Sequence, residues 1–277
     1  MLSTASLFPA YDITPELDDH NNQVLDAAGD PKLTKILILD DDGNATYGPL
    51  VKPLFLSSPG AIISRAIVLT KEEFSGGTLQ KHIWESLKRV FSAFFLGVLL
   101  GVPLGVFMAI NRHARGAFDP PIEFYRPVPP LAYLPLMIVW LGIGEATKIT
   151  IIFLAVFAPM TLSARAGVRS VPIEQIHAAY SMGATKLQII YHVILKGAMP
   201  EILTGMRISM AFGWTTVVAA ELAAAQAGLG AMIKSAADFL VTDVIYVGII
   251  VIGTIAYASD LLVRWIERVC VPWKGRV

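Results

Sequence analysis

Hydrophobic residues make up 55% of the 277-residue chain and charged residues only 16%, whereas soluble globular proteins average about 45–50% and about 25%. The 22 Lys and Arg balance the 22 Asp and Glu, which excludes the basic excess of a nucleic-acid-binding protein. The single cysteine, Cys270, excludes a disulfide framework and a cysteine-based metal site, so the composition indicates a membrane protein.

Residues 1–77 are predicted to form an acidic, polar N-terminal segment. Residues 1–60 hold nine acidic residues against three lysines, and no apolar stretch with a cleavage site indicates a signal peptide. Within this segment, residues 35–47 are predicted to form a hairpin of two short strands. The alternating Asp40, Asp42 and Asn44 lack the glycine and glutamate of a calcium loop, so a plain turn is preferred.

An amphipathic helix is predicted from residue 79, where Leu79 begins an apolar stripe that ends at Val90. We expect it to lie at the bilayer surface and to lead into the first span. That span, residues 90–110, has no charge for 21 residues, or about 31 Å of helix. Its Gly97, Gly101 and Gly105 share one face, which fits either close contact with another helix or simply the high frequency of glycine in membrane helices.

Four further apolar stretches bring the predicted number of spans to five. They are residues 127–144, 149–164, about 199–221, and 244–263. Arg207 and Glu221 in the fourth span are expected to face the bundle, where Glu221 accepts a structural hydrogen bond. Asp260 and Arg264 have the spacing of an ion pair on one helix. The predicted fold is all-α: a bundle of membrane-spanning helices over residues 78–264 and a tail over 265–277.

Lys and Arg in the connecting segments predict the orientation of the chain. Twelve of them fall in the segments after the first and third spans and in the tail, against two, Lys148 and Lys234, in the opposite segments. The long loop and the C-terminus are therefore expected in the cytoplasm, and five spans then place residues 1–77 in the periplasm. Because that segment has no apolar stretch able to export it, we expect a sixth span upstream of residue 1.

The long loop, about residues 165–199, is predicted to form a compact element of two short helices. Pro172 suits the start of a helix over residues 173–182, and Gly183 suits its C-terminal cap. Thr185 and Gln188 have capping-box spacing for a second helix, residues 186–195. The shape alone fits either a docking element or a plain connection.

The sequence of this loop resembles the EAA loop of type I ABC importer permeases. His177-Ala-Ala-Tyr-Ser-Met-Gly183-Ala, followed by Val193-Ile-Leu-Lys-Gly-Ala-Met-Pro200, matches the motif, with His177 in place of Glu and Lys196 in place of Pro. In that family the loop inserts into a groove of the ATP-binding subunit. The resemblance implies a docking role for nine residues: Glu174, His177, Ala178, Ala179, Ser181, Gly183, Ala184, Leu195 and Pro200.

The resemblance extends over about residues 53–277 and is greatest to the branch that imports taurine, alkanesulfonates, nitrate and bicarbonate. Its strongest matches are the run Arg126-Pro-Val-Pro-Pro130 and the tail Pro272-Trp-Lys-Gly275, which are most similar to taurine permeases. It implies a multi-pass permease of the bacterial inner membrane that forms a homodimer in the bilayer. The implied partners are an ABC ATP-binding subunit, which binds ATP and Mg, and a periplasmic substrate-binding protein. This chain has no P-loop and is expected to bind no cofactor, metal or nucleic acid and to have no catalytic residue.

The second predicted span contains the best candidate for a translocation pathway or gate. Pro127, Pro129, Pro130 and Pro135 each remove a backbone donor, and broken backbone at membrane depth lines a cavity or is buried in protein. Arg126 is expected at the cytoplasmic entry, where anchoring in the headgroups is preferred to substrate contact. The alternatives are a nitrate or bicarbonate permease of the same branch and, in another class, a secondary transporter, which would usually show two related halves.

Overall fold

The structure is a computed structural model that describes residues 59–272 and, N-terminal to them, the backbone of four short strands. The chain divides into two compact units, residues 1–62 and 63–277. The strands are β1 (Phe8–Pro9), β2 (Tyr11–Pro15), β3 (Leu33–Leu37) and β4 (Tyr47–Gly48). They pair antiparallel as β1 with β4 and β2 with β3. The predicted hairpin is therefore wrong, because both of its strands pair with partners nearer the N-terminus.

Helices form almost all of the rest of the described chain. They are α1 (Pro59–Lys71), α2 (Leu79–Ile110), α3 (Arg112–Tyr125), α4 (Leu134–Leu141), α5 (Glu145–Arg169), α6 (Ile173–Ser181), α7 (Lys186–Ile189), α8 (Leu195–Ala224), α9 (Leu229–Asp238) and α10 (Thr242–Cys270). A 3₁₀ turn, Pro130–Tyr133, precedes α4, and a π-helical segment, Ile190–Ile194, joins α7 to α8. The helix α1 has no counterpart among the sequence-based expectations.

Four of these helices are long and apolar enough to cross a membrane. They are Leu79–Ile110, Glu145–Arg169, Lys186–Ala223 and Thr242–Cys270, and they contain four of the five predicted spans. The span predicted at about residues 199–221 begins earlier than expected, because α7, the π-helical segment and α8 form one continuous helix. The capping box at its start is confirmed, since the Gln188 amide donates to Thr185 Oγ1 and the Thr185 amide donates to Gln188 Oε1.

The helices α2 and α5 lie parallel to each other, in contact along their length. Of the two alternatives for the glycines, close contact is confirmed: a Cβ at Gly97 would come 2.5 Å from Val156 Cγ1, and one at Gly105 would fall against the carbonyl oxygen of Thr161. At one end Arg89 pairs with Glu145. Residue numbers rise along both helices in the same direction, so α2 and α5 are parallel.

The bundle therefore has two ends that can be named from its contacts. The end with Arg89, Glu145 and Glu221 is called here the cluster end. The opposite end, which holds residues 165–199 and Cys270, is called the loop end. The helix α8 runs antiparallel to α5, because Gly167 contacts Ala198 while Gly213 contacts Val156. The helix α10 runs from the cluster end back to the loop end.

Since α2 and α5 are parallel, residues 111–144 must return from the loop end to the cluster end. They do so along α5. Successive contacts are Asp119 with Arg165, Ile122 with Ala158, Leu134 with Ile151, and the Thr147 hydroxyl with the Gly142 carbonyl. The chain thus crosses five times, but the second crossing is a broken one. The predicted start of this span, residue 127, falls in the irregular stretch after α3, and α3 itself already packs on α5 through Asp119 and Arg165.

The predicted surface helix at residues 79–90 is also corrected. It is the first part of α2, a helix of 32 residues, or about 48 Å. One polar side of it faces the bundle, where His82, Ser86 and Arg89 are buried, whereas Lys81 and Lys88 remain exposed. The partners of the three buried residues belong to a cluster described below.

Candidate functional site

The loop end carries a projecting element made of α6 and α7 and the turn between them. Gly183 has a φ of +81°, in the left-handed region that favours glycine. Its amide donates to the Tyr180 carbonyl over 2.9 Å. The Ala184 amide donates to the Ala179 carbonyl over 3.1 Å, which completes a Schellman motif. The predicted cap at Gly183 is confirmed, and it sets the direction in which the chain enters α7.

Each face of the projecting element has its own chemistry. The inner face packs Ile176, Ala179 and Ala184 against a buried cluster that includes Ile189 and Ala198. The outer face leaves five large apolar side chains exposed: Ile173, Tyr180, Met182, Leu187 and Tyr191. Met182 is 87% exposed. A group of exposed apolar side chains is typical of a surface that contacts another protein.

The nine residues assigned to docking fall into three groups by location and exposure. Exposed on it are Glu174, His177, Ala178, Ser181 and Gly183. Ala179 in α6 and Ala184 in the turn after it are half-buried on the inner face. Leu195 and Pro200 are half-buried in the first turns of α8. The first group is the most accessible to a partner, and Ala179 and Pro200 also line a surface pocket beside α6. The other four support the element from below.

The five pathway candidates lie where the second crossing is broken. Residues 126–129 join α3 to the 3₁₀ turn, so Pro127 and Pro129 fall in the irregular stretch itself. Pro130 begins the turn, and Pro135 lies in the first turn of α4, where its missing amide costs no helical hydrogen bond. The prolines therefore interrupt the regular helix between α3 and α4.

A cavity of about 430 Å³ lies beside this break. Arg126 and Pro130 line it, with residues 154–163 of α5 and Ile208 and Phe212 of α8 on the other sides. These stretches are near the middle of both helices. Arg126 thus lies beside the middle of α5 and α8, whereas the sequence analysis expects it at the cytoplasmic entry of the second span.

The most extensive polar cluster in the described chain lies at the cluster end, and the sequence analysis did not assemble it. Glu221 is buried and accepts from Arg89 Nη1 over 2.6 Å, from Ser86 Oγ over 2.8 Å and from the Gly230 amide over 2.9 Å. Arg89 also donates two hydrogen bonds to Glu145. The expectation that Glu221 accepts a structural hydrogen bond is confirmed. The available signal was the spacing of His82, Ser86 and Arg89 on one helix face.

A second group of charges joins α8 to α10 nearer the loop end. Arg264 Nε lies 2.7 Å from Asp260 Oδ2, which confirms the predicted pair on α10. Asp260 also accepts from Arg207 over 3.0 Å, so the charge of Arg207 is matched by a neighbouring helix. Among residues 59–272, no group of His, Cys, Asp and Glu has the arrangement of a metal site.

Comparison with known proteins gives concordant results. Residues 101–271 match the family model described as the inner membrane component of binding-protein-dependent transport systems. The chain is 50% identical to the taurine transport system permease protein TauC of Escherichia coli (strain K12), over 82% of this chain and 83% of that protein. It is 35% identical to a protein of Bacillus subtilis (strain 168) named as an aliphatic sulfonates transport permease, SsuC, over 76% of each chain.

The fold is also similar to solved structures. The chain superposes on a chain of the MetNI methionine ABC transporter in an inward-facing conformation with a TM-score of 0.56 and 23% identity. The match covers 67% of this chain and 94% of that one. At this identity the similarity establishes the fold of the helical bundle.

Proposed function

This chain belongs to the family of binding-protein-dependent transport system inner membrane components, and from that premise we propose that it forms the translocation path for taurine. It is a permease subunit of an ABC importer. Membership in this family leaves the secondary-transporter alternative without support. The substrate rests on one observation above others, the 50% identity to the taurine permease over most of both chains.

The projecting element docks onto a separate ATP-binding subunit, which hydrolyses ATP with Mg. Two features support this assignment. The outer face of α6 and α7 exposes apolar side chains such as Met182 and Leu187 at an end of the bundle where no lipid tail would cover them. The turn at Gly183 is fixed by two hydrogen bonds, so a partner that moves the element moves it as one piece.

The loop end faces the cytoplasm of a bacterial inner membrane. The excess of Lys and Arg in the segments of this end supports the orientation. The cluster end and residues 1–77 then face the periplasm, where a substrate-binding protein delivers the ligand.

Two copies of the chain enclose the path. Closure of the ATP-binding subunits draws the two projecting elements together and opens the path outward, and hydrolysis reverses the change. The continuous helix from Lys186 to Ala223 supports this mechanism, because it leads from the projecting element to the cluster end. Arg126, Pro127, Pro129, Pro130 and Pro135 are proposed to line or gate the path at the broken crossing.

Reconstitution tests the proposal directly. The chain is purified with its ATP-binding subunit, inserted into proteoliposomes and supplied with the binding protein and labelled taurine. We expect uptake that requires both ATP and the binding protein and that excess unlabelled taurine abolishes. ATP-dependent uptake of nitrate or bicarbonate without taurine uptake would select the alternative substrates. Uptake driven by an ion gradient without ATP would contradict the importer itself.

A further inference from the structure

The cavity beside the broken crossing combines apolar walls with a small number of polar groups. Ile208 and Phe212 of α8 contribute to the apolar walls, and Tyr125, Arg126, Tyr133 and Ser163 provide the polar atoms. Its volume of about 430 Å³ falls in the range of about 300–1,000 Å³ that is usual for small-molecule sites. Of the described residues that line it, none is acidic.

The charge of Arg126 is unmatched in the described part of the chain. Arg165, one or two turns closer to the loop end, pairs with Asp119 and lies 3.8 Å from Glu123. Arg126 has no such carboxylate among residues 59–272; its side chain is exposed in the single chain and lines the cavity beside the middle of α5 and α8. An intramembrane cation without a counter-charge is costly and is typical of a site for a mobile anion.

A second group points to the same conclusion. The Tyr125 hydroxyl is buried and has no hydrogen-bond partner within residues 59–272, and Tyr125 lines the cavity next to Arg126. A buried donor without an acceptor is unfavourable, so an oxygen of a ligand in the cavity would satisfy it. A guanidinium and a hydroxyl together suit an oxyanion, since a guanidinium binds planar pairs of oxygen atoms well.

We infer that this cavity is a subsite for the sulfonate end of a small aliphatic anion, with Arg126 as its cation and the Tyr125 hydroxyl as a second donor. The inference rests on the proposed function and states which part of the ligand the subsite does not recognise. Because no acidic residue of the described lining faces the ligand, the ammonium group of taurine finds no counter-charge there. The subsite therefore binds ethanesulfonate as well as taurine, and selection between the two occurs elsewhere.

Thiol chemistry at Ser163 tests the subsite without relying on transport. In the complex of permease and ATP-binding subunit that carries Cys270→Ser and Ser163→Cys, the new thiol lies in the cavity lining. Its reaction rates are measured with sulfonatoethyl methanethiosulfonate, an anion, and with trimethylammonioethyl methanethiosulfonate, a cation. Arg126→Gln should lower the anion-to-cation rate ratio about fivefold, as expected for one charge roughly 8 Å away in water-like surroundings.

Two further variants make the result specific. Arg126→Lys keeps the charge and should retain most of the ratio, which also shows that the site folds. Arg112→Gln removes a charge from the exposed start of α3, outside the cavity, and should leave the ratio unchanged. Taurine and ethanesulfonate should slow the anionic reagent equally, and this protection should be lost in Arg126→Gln.

The outcomes separate the subsite from the proposed function. An unchanged rate ratio in Arg126→Gln, or no protection by either sulfonate, would overturn the subsite. Protection by taurine alone would overturn its indifference to the ammonium group. Arg126-dependent protection by both sulfonates supports the subsite even if the proteoliposomes import no taurine, in which case the taurine assignment fails and the subsite stands.

Discussion

Replacement of Gly183 by Val should uncouple the projecting element from its ATP-binding subunit. A Cβ at Gly183 would meet nothing within 4 Å, so the change introduces no clash. Its cost is conformational, because a φ of +81° is unfavourable for an L residue, by roughly 1–2 kcal/mol and more for a β-branched one. If the turn opens instead, the two hydrogen bonds of the Schellman motif are lost, at about 0.5–1.5 kcal/mol each.

Both routes lead to a penalty of about 2 kcal/mol, which corresponds to roughly a thirtyfold loss of the docking-competent turn. We expect the variant to reach the membrane at normal levels and to bind the ATP-binding subunit up to about thirtyfold more weakly. The measurement is a titration of the purified permease with that subunit in detergent, combined with taurine uptake.

Gly183→Asn is the matched control, because Asn tolerates the left-handed conformation better than any other residue with a Cβ. It should retain most of the affinity, with Gly183→Ala in between. If Val, Ala and Asn all bind the subunit as the unchanged protein does, the conformation of this turn has no part in docking. If all three fail equally, loss of the glycine itself matters and the conformational reasoning is refuted.

Three other perturbations test the bundle and its orientation. Gly105→Ala should prevent close packing of α2 on α5 and lower the thermal denaturation temperature, because the new Cβ would fall against backbone. Gly116→Ala, where the new Cβ meets no neighbour, should leave that temperature unchanged. Equal stability of the two variants would contradict the parallel packing. Glu221→Ala should cost about 3 kcal/mol by leaving a buried guanidinium short of a partner, measured by thermal unfolding in detergent, and a neutral result would show that the cluster is hydrated. In a chain without its native cysteine, Cys at Asp238 should react with an impermeant reagent in intact cells and Cys at Lys186 only after permeabilisation; the reverse pattern would invert the orientation.

The features that could be predicted from the sequence are those that depend on neighbouring residues. The cap at Gly183, the capping box at Thr185 and the pair Asp260–Arg264 each involve positions within five residues of one another, so spacing alone defines them. The glycines of α2 belong to the same class, because small residues on one face require close approach wherever the partner helix comes from.

The cluster end could not be assembled in this way. Arg89 and Glu221 are 132 positions apart, and no local pattern states which of several charges in the chain will meet. The polar face of α2 was consistent with a helix at the bilayer surface until the structure showed α8 and the loop at Gly228 packed on it. A buried charge is identified by its partner, and the partner depends on the fold.

The second crossing shows most clearly why hydropathy alone does not describe how the chain passes through the bundle. The window at residues 127–144 is apolar, so a scan begins the span after the charges of α3. The structure instead brings α3 into the bundle, where the Asp119 carboxylate pairs with Arg165 of α5. Pairing removes the main cost of burying the Asp119 charge in the bundle. The prolines then break the helix beside the middle of α5, where the cavity lies. Arg126, which has no carboxylate partner within the described residues 59–272, is therefore the charge at that break whose position requires a functional explanation, and the anion subsite depends on it.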